Sequence, residues 1–238
     1  MSEELGKISK PQADNVQLKR KLYLVQNIQN YFPDNNEFES LLSEYWESIS
    51  DQLDNLEKTA GNITKIYIEG MYQEYDVAIK LLEENNKWCH ETILSRINSG
   101  SEYGKIEEEN NYKELIDWTR IAQLGFLSEN VKEITEKNYT DIINSRTKII
   151  QNEIDNMKNG DAALFIISSG AHKFPEDLEI FNVIPPSLDK MNRWITENQK
   201  GIQQESDNQQ ESDNQRESDN QRDQDEGDQN SKSNLWTP

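Results

Sequence analysis

Apolar residues recur along the central part of the chain in two distinct rhythms. Phe38, Leu41, Leu42, Tyr45, Ile49, Leu53 and Leu56 fall three and four positions apart. That spacing gathers side chains on one face of an α-helix and predicts a helix over 38–56. Pro33-Asp34-Asn35-Asn36 supplies turn and cap chemistry before it, and Gly61-Asn62 marks its exit. The second rhythm is short and dense. Lys21-Leu-Tyr-Leu-Val25, Thr64-Lys-Ile-Tyr-Ile68 and Asp161-Ala-Ala-Leu-Phe-Ile-Ile167 are brief apolar runs rich in β-branched and aromatic residues. Each reads as a buried strand. Leu178-Glu-Ile-Phe-Asn-Val183 is a fourth, ended by Pro185-Pro186.

Helical spacing returns between the strands. It predicts helices over about 75–82 and 88–97, interrupted at Asn85-Asn86, and a loop over 100–104. A further helix over about 112–124 is broken by Gly125. Another over about 129–158 is opened by Ser128 and stopped by Asn159-Gly160. Ser187 is placed to cap a last helix carrying Leu188, Met191, Trp194 and Ile195.

Strands separated by helices predict the α/β class, with a small, mainly parallel sheet flanked by numerous helices. The run over 162–167 is apolar at successive positions and so needs cover on both faces, which predicts the central strand.

Composition changes the picture at the two ends. Only 33% of residues are hydrophobic, a low share that points to a segment diluting an ordinary core. Glu-Ser-Asp-Asn-Gln is repeated from Glu205, Glu211 and Glu217, and the acidic, Gln-rich run continues to about Asn230. It holds nothing apolar to offset the entropy of ordering it. Three parts are therefore expected: a flexible N-terminus over 1–18, a single α/β domain over 19–200, and a disordered acidic tail over 201–238.

The net charge is −20. The tail holds ten acids and three bases, a net of −7, which leaves −13 for the rest. An acidic chain repels nucleic acid and anionic membrane surfaces, so neither is expected as a partner. The start lacks the basic-then-apolar pattern of a signal peptide, and no apolar run approaches the roughly 20 residues of a spanning helix. With one cysteine, Cys89, no internal disulfide can form. A soluble, cytoplasmic protein is the expectation.

In a parallel sheet, ligands bind beyond the carboxyl ends of the strands. There the sequence places Asn27, Gln29 and Asn30 after the first strand, Glu69 after the second and His172 after the 161–167 strand. Polar residues also follow strands simply because loops are polar. Arg146 adds weight, because it lies four residues after Ile142 and three and four before Ile149 and Ile150. That puts a guanidinium on the apolar face of its helix, where it needs an anionic partner, and Glu69 is the natural one.

Other groups carry less. His90 reads as a partly exposed helical residue and Cys89 as a small core residue. Glu107-Glu108-Glu109 reads as a solvated helix start. The chain shows neither a Gly-rich phosphate loop nor a nucleophile elbow. Two histidines and one cysteine make a closed zinc site implausible.

The order of these pieces resembles the superfamily of TraB/TIKI proteins, ChaN-like haem-binding proteins and erythromycin-esterase-like proteins. It also resembles uncharacterised bacterial proteins of similar length. The resemblance rests on a strand with a polar turn, then Ile66-Tyr-Ile-Glu69-Gly70, then Asn144-Ser-Arg146-Thr147, then a strand leading to Ser169-Gly-Ala-His172. It covers residues 20 to about 184. In that superfamily the first turn bears a histidine and the late motif is GxxH. Here the first turn reads Val25-Gln-Asn-Ile-Gln-Asn30, Ser169 stands three before His172, and the glycine is Gly170.

Two functions follow. One is a non-catalytic protein that binds a small anionic ligand in the pocket or works through a protein partner. The other, implied by the resemblance, is a divalent-metal-dependent hydrolase of esterase or peptidase type. In it Glu69, Arg146 and His172 are catalytic. Glu69 and His172 hold a metal of the Mn/Co/Fe type, and Asn27 or Gln29 completes the site. The tail gives the first testable expectation. Truncation before Gly201 leaves the thermal unfolding midpoint nearly unchanged, and a fall of many degrees would show that the repeat packs on the domain.

Overall fold

Five parallel strands make one sheet in the computed structural model, which describes residues 19–168 and 172–198. The strands are β1 (Lys21–Gln26), β2 (Ile63–Ile68), β3 (Glu102–Gly104), β4 (Ala162–Ile167) and β5 (Glu179–Val183). Their order across the sheet is β3-β2-β4-β1-β5. Helix α1 (Asn36–Thr59) joins β1 to β2. Helices α2 (Tyr75–Asn85) and α3 (Lys87–Asn98) join β2 to β3, and α4 (Glu109–Gln123) and α5 (Glu129–Asp155) join β3 to β4. The expected α/β class with a parallel sheet is the class observed.

β4 is the middle strand, paired with β1 on one side and β2 on the other. All residues from Ala162 to Ile166 are fully buried, which is why its sequence is apolar without alternation. Leu22, Leu24, Tyr67, Ala163 and Phe165 pack with Ile150 and Ile154 of α5 in one cluster. The alternating residues Tyr23, Val25, Ile66 and Ile68 point to the opposite face and are also buried. Helix α1 buries Phe38, Leu42, Tyr45, Ile49 and Leu53 on the stripe that its spacing predicts. Asn35 caps it by accepting from the Phe38 amide at 2.9 Å. The Tyr45 hydroxyl donates to the Gln26 carbonyl at 2.7 Å, and the Trp46 indole to Ile28 at 3.2 Å. These bonds tie α1 to the carboxyl end of β1.

Asn86 both ends α2 and caps α3. Its side-chain oxygen accepts from the Cys89 amide at 3.2 Å, while its amide nitrogen donates to the Ile28 carbonyl at 2.9 Å. The break expected at Asn85-Asn86 is thus also a tie to the loop after β1. Cys89 is fully buried, as a core residue should be, and burial pushes its thiol pKa well above the ordinary value. Arg20 has a structural task. It donates to the carbonyls of Ile154 and Asp155 at the end of α5, each at 3.1 Å, and to both carboxylate oxygens of Asp177.

Three local expectations are corrected. Residues 102–104 were expected in a loop but form the edge strand β3, held by backbone pairing with β2; three residues are too few to show a period in sequence. Ser128 precedes α5 but makes no capping bond with its side chain. The last helix covers 186–198, so Ser187 lies inside it, after Pro186 at the first position, where a missing N–H costs nothing. A second compact unit begins at Asp189, and its described residues are helical. The N-terminal 1–18 and the repeat tail over 201–238 lie outside the described residues. Among the described residues no helix is long and apolar enough to cross a membrane.

Gly104 is where the sheet edge is tightest. A Cβ there would stand 2.5 Å from Cε1 of Tyr67, a buried ring with little room to move. Gly104→Ala is therefore expected to destabilise the fold by about 1–3 kcal/mol through overpacking, measured by urea unfolding. A neutral result would show that the Tyr67 ring has space to yield.

Candidate functional site at the carboxyl edge of the sheet

Sheet hydrogen bonding runs one residue past the strands and fixes the residues that follow. The Asn27 amide donates to the Ile167 carbonyl at 2.6 Å, and the Glu69 amide to Ile166 at 2.8 Å. Asn27, Glu69 and Ser168, the residues directly after β1, β2 and β4, therefore stand side by side. They share the wall of one cleft of about 340 Å³, together with Gln29, Gln73 and Tyr112. A larger hollow of about 410 Å³ lies at the other end of the strands, around Lys65, Glu102 and Asp161. Because the sheet is parallel, that end presents strand beginnings, so the smaller cleft is the candidate site.

Arg146 lies behind this wall. It shares a face of α5 with the buried Ile142, Ile150 and Ile154, and is itself only 9% exposed. Its Nη2 donates to Glu69 Oε1 at 2.9 Å. Its Nε donates to Glu107 Oε1 and Oε2 at 3.1 and 3.0 Å, and Nη2 also bonds Glu107 Oε1. One guanidinium thus bridges two buried carboxylates. Burial alone would lower the Arg146 pKa. The bonds and charge of Glu107, then those of Glu69, outweigh it and hold the pKa above the ordinary value. The remaining oxygen, Glu69 Oε2, accepts from Ser168 N–H, and Gly70 N–H adds a further bond to Glu107 Oε1 at 2.9 Å.

The expected partnership of Arg146 with Glu69 is present. The expectation that Glu107 belongs to a solvated helix start is overturned. Glu107 is 3% exposed and precedes α4, drawn inward beside the buried Ile106. A sequence signal existed, because Glu107 is the first acid after an isolated apolar residue, but spacing gave no way to tell it from Glu108 and Glu109.

His172 joins the group at contact distance. Its Nε2 lies 3.1 Å from Glu69 Oε1, with the side chain 8% exposed. Its ring packs against Phe165 and Phe174, with centroids 5.3 and 6.0 Å apart. Nε2 has no hydrogen-bond partner among the described residues, so proximity to Glu69 does not amount to a bond. Neither His172 nor Arg146 is on the cleft wall; Asn27, Gln29 and Glu69 are.

These residues do not fit the expected divalent metal. Glu69 spends one oxygen on Arg146 and the other on the Ser168 amide, so a guanidinium already stands where a cation would be neutralised. Among the described residues, no group of three or more His, Cys, Asp and Glu side chains could hold a metal ion. The first turn offers only side-chain amides, Asn27 and Gln29, where the resembled superfamily has an imidazole.

Gly70 links the carboxylate cluster to the cleft. Its φ is +83°, and a Cβ there would stand 3.0 Å from the Tyr112 hydroxyl. Only glycine meets both demands at low cost. The Tyr112 pKa is raised, first by burial and then by the Glu107 charge, with Arg146 acting in the opposite direction.

No protein-family model matches the chain, nor does any curated protein or solved structure. The resemblance to the TraB-like superfamily therefore rests on motif order alone.

Replacing Arg146 by Met leaves two buried carboxylates without their cation. The loss expected is about 3–5 kcal/mol, measured by chemical unfolding. A change within about 0.5 kcal/mol, the scale of a surface substitution, would mean that the pair is not the anchor of this edge.

Proposed function

We propose that this protein binds a small polar molecule in the cleft at the carboxyl edge of its sheet, without a resident metal. The observation that carries this reading is a wall of unspent hydrogen-bonding groups around a carboxylate locked in position. Asn27 is only 9% exposed, and its Oδ1 meets the Asn86 amide at 3.4 Å. Its Nδ2 donates to nothing among the described residues. The Tyr112 hydroxyl is likewise unbonded among the described residues. Both groups reach solvent and are free to exchange their water for a ligand that offers matching acceptors and donors.

A hydrolytic role draws on one observation, the unpartnered Nε2 of His172 beside Glu69. Binding is the better-supported reading, because both oxygens of Glu69 are engaged and His172 stands off the wall.

Ligand-observed NMR against a library of small polar compounds tests the proposal. Gln29 is exposed on the cleft rim, so Gln29→Trp fills the site without touching the core. Hits are expected with the native protein and at least a tenfold loss of affinity in Gln29→Trp, with an unchanged thermal midpoint. Hits that persist unchanged in the variant would place binding elsewhere. Steady ester or peptide turnover abolished by His172→Ala would favour the hydrolase.

A further inference from the structure

The groups that the cleft leaves available to a ligand share one property, the lack of a charge. Among the described residues, Glu69 is the one carboxylate on the wall, and its two oxygens are engaged by Arg146 and the Ser168 amide. The same wall holds no lysine, arginine or histidine among the described residues. Arg146 is set back and bonded to both Glu69 and Glu107. The Gly70 and Ser168 amides are spent on these carboxylates, so they are not available to cradle an anion.

What remains is neutral and rich in donors. Asn27 turns its Oδ1 to the Asn86 amide at 3.4 Å and leaves its Nδ2 without an acceptor among the described residues. Gln73 divides in the same way. Its Oε1 accepts from the Tyr72 amide at 3.1 Å, and its Nε2 donates to nothing among the described residues. Gln29, exposed on the rim, and the Tyr112 hydroxyl can each donate and accept. Burial raises the Tyr112 pKa, so the phenol keeps its proton at neutral pH. Asn86 takes no part, because the Ile28 carbonyl and the Cys89 amide already occupy it. The matching ligand therefore offers several acceptor oxygens, a donor or two and no charge. Hydroxyls on adjacent carbons meet that demand, since each accepts from an amide and donates in turn. Met71 and Leu81, half-buried on the same wall, add apolar surface suited to the C–H groups between such hydroxyls. The volume of about 340 Å³ is at the small end of the roughly 300–1,000 Å³ range of ligand pockets, which suits a molecule of one ring.

We propose that the ligand of this cleft is an uncharged polyol of about monosaccharide size, its hydroxyl oxygens accepting from Asn27 and Gln73 and its hydroxyl protons shared with Tyr112 and Gln29. This rests on the binding reading above. It takes the place of the anionic ligand expected from sequence, because the arginine that suggested an anion is already bonded to two carboxylates.

Probes that differ in charge at one carbon test the proposal. Glucose, galactose and mannose are each compared with their 6-amino-6-deoxy derivative, an ammonium at neutral pH, and with their uronate. Each is titrated into the full-length, ¹⁵N-labelled protein while the side-chain amide signals of Asn27, Gln29 and Gln73 are followed. At least one hexose is expected to shift these signals and to bind at least tenfold more tightly than its own charged forms. Its affinity is expected to stay level as salt is raised, since no ion pair is involved. Tyr112→Phe, which removes one hydroxyl and keeps the ring, is expected to weaken that sugar severalfold with an unchanged thermal midpoint. A charged form that binds as tightly as its neutral parent would overturn the polyol proposal and leave the cleft as a binding site. So would failure of all three hexoses to shift the signals while library hits are still lost in Gln29→Trp. If neither the hexoses nor the library bind, the binding reading falls and the polyol proposal falls with it.

Discussion

A single guanidinium buried between two carboxylates holds the carboxyl edge of this sheet. Arg146 comes from the longest helix, Glu69 from the end of a strand next to the middle of the sheet, and Glu107 from the loop after the edge strand. Each of these groups, buried alone, would be costly in charge or forced to neutralise. Together they satisfy one another, and the backbone amides of Gly70 and Ser168 take up further oxygen lone pairs. Three segments far apart in sequence are thereby locked into one geometry. The stability of the arrangement lies less in the ion pairs themselves than in the large penalty for breaking them.

That lock also decides what the edge can do. A carboxylate held by arginine on one oxygen and by an amide on the other is a fixed negative point, poorly suited to exchanging ligands around a metal. Around it the wall is built of amides and a phenol, groups that recognise hydrogen-bonding partners without chemistry of their own. The parallel sheet brings these residues together by pointing the ends of β1, β2 and β4 in one direction. Gly70 then lets Tyr112 approach the same place.

Much of this was legible in the chain. The stripe over 38–56, the doubly apolar run over 162–167 and the Asn85-Asn86 break report their own local environments, because helix and strand periods are set by neighbours in sequence. Arg146 could be placed on a buried face for the same reason, and the need for an acid followed from the fact that its charge cannot be removed. The three-residue strand β3 was not legible, since its identity is the pairing with β2 and not a pattern of its own.

The sequence by itself determined the α/β class, the central strand and the demand of Arg146 for a buried anion. Those properties depend on periodicity and on the cost of burying charge, both of which are local. Only the tertiary structure decided that two acids answer that demand, that Glu107 and not its neighbours Glu108 or Glu109 is the second, and that Asn27, Gln29 and Glu69 share a wall from which Arg146 and His172 are set back. The physical reason is that the sign and availability of charge at a site are sums over groups from separate segments. An arginine read alone announces a positive pocket, and the same arginine between two carboxylates has its charge already spent.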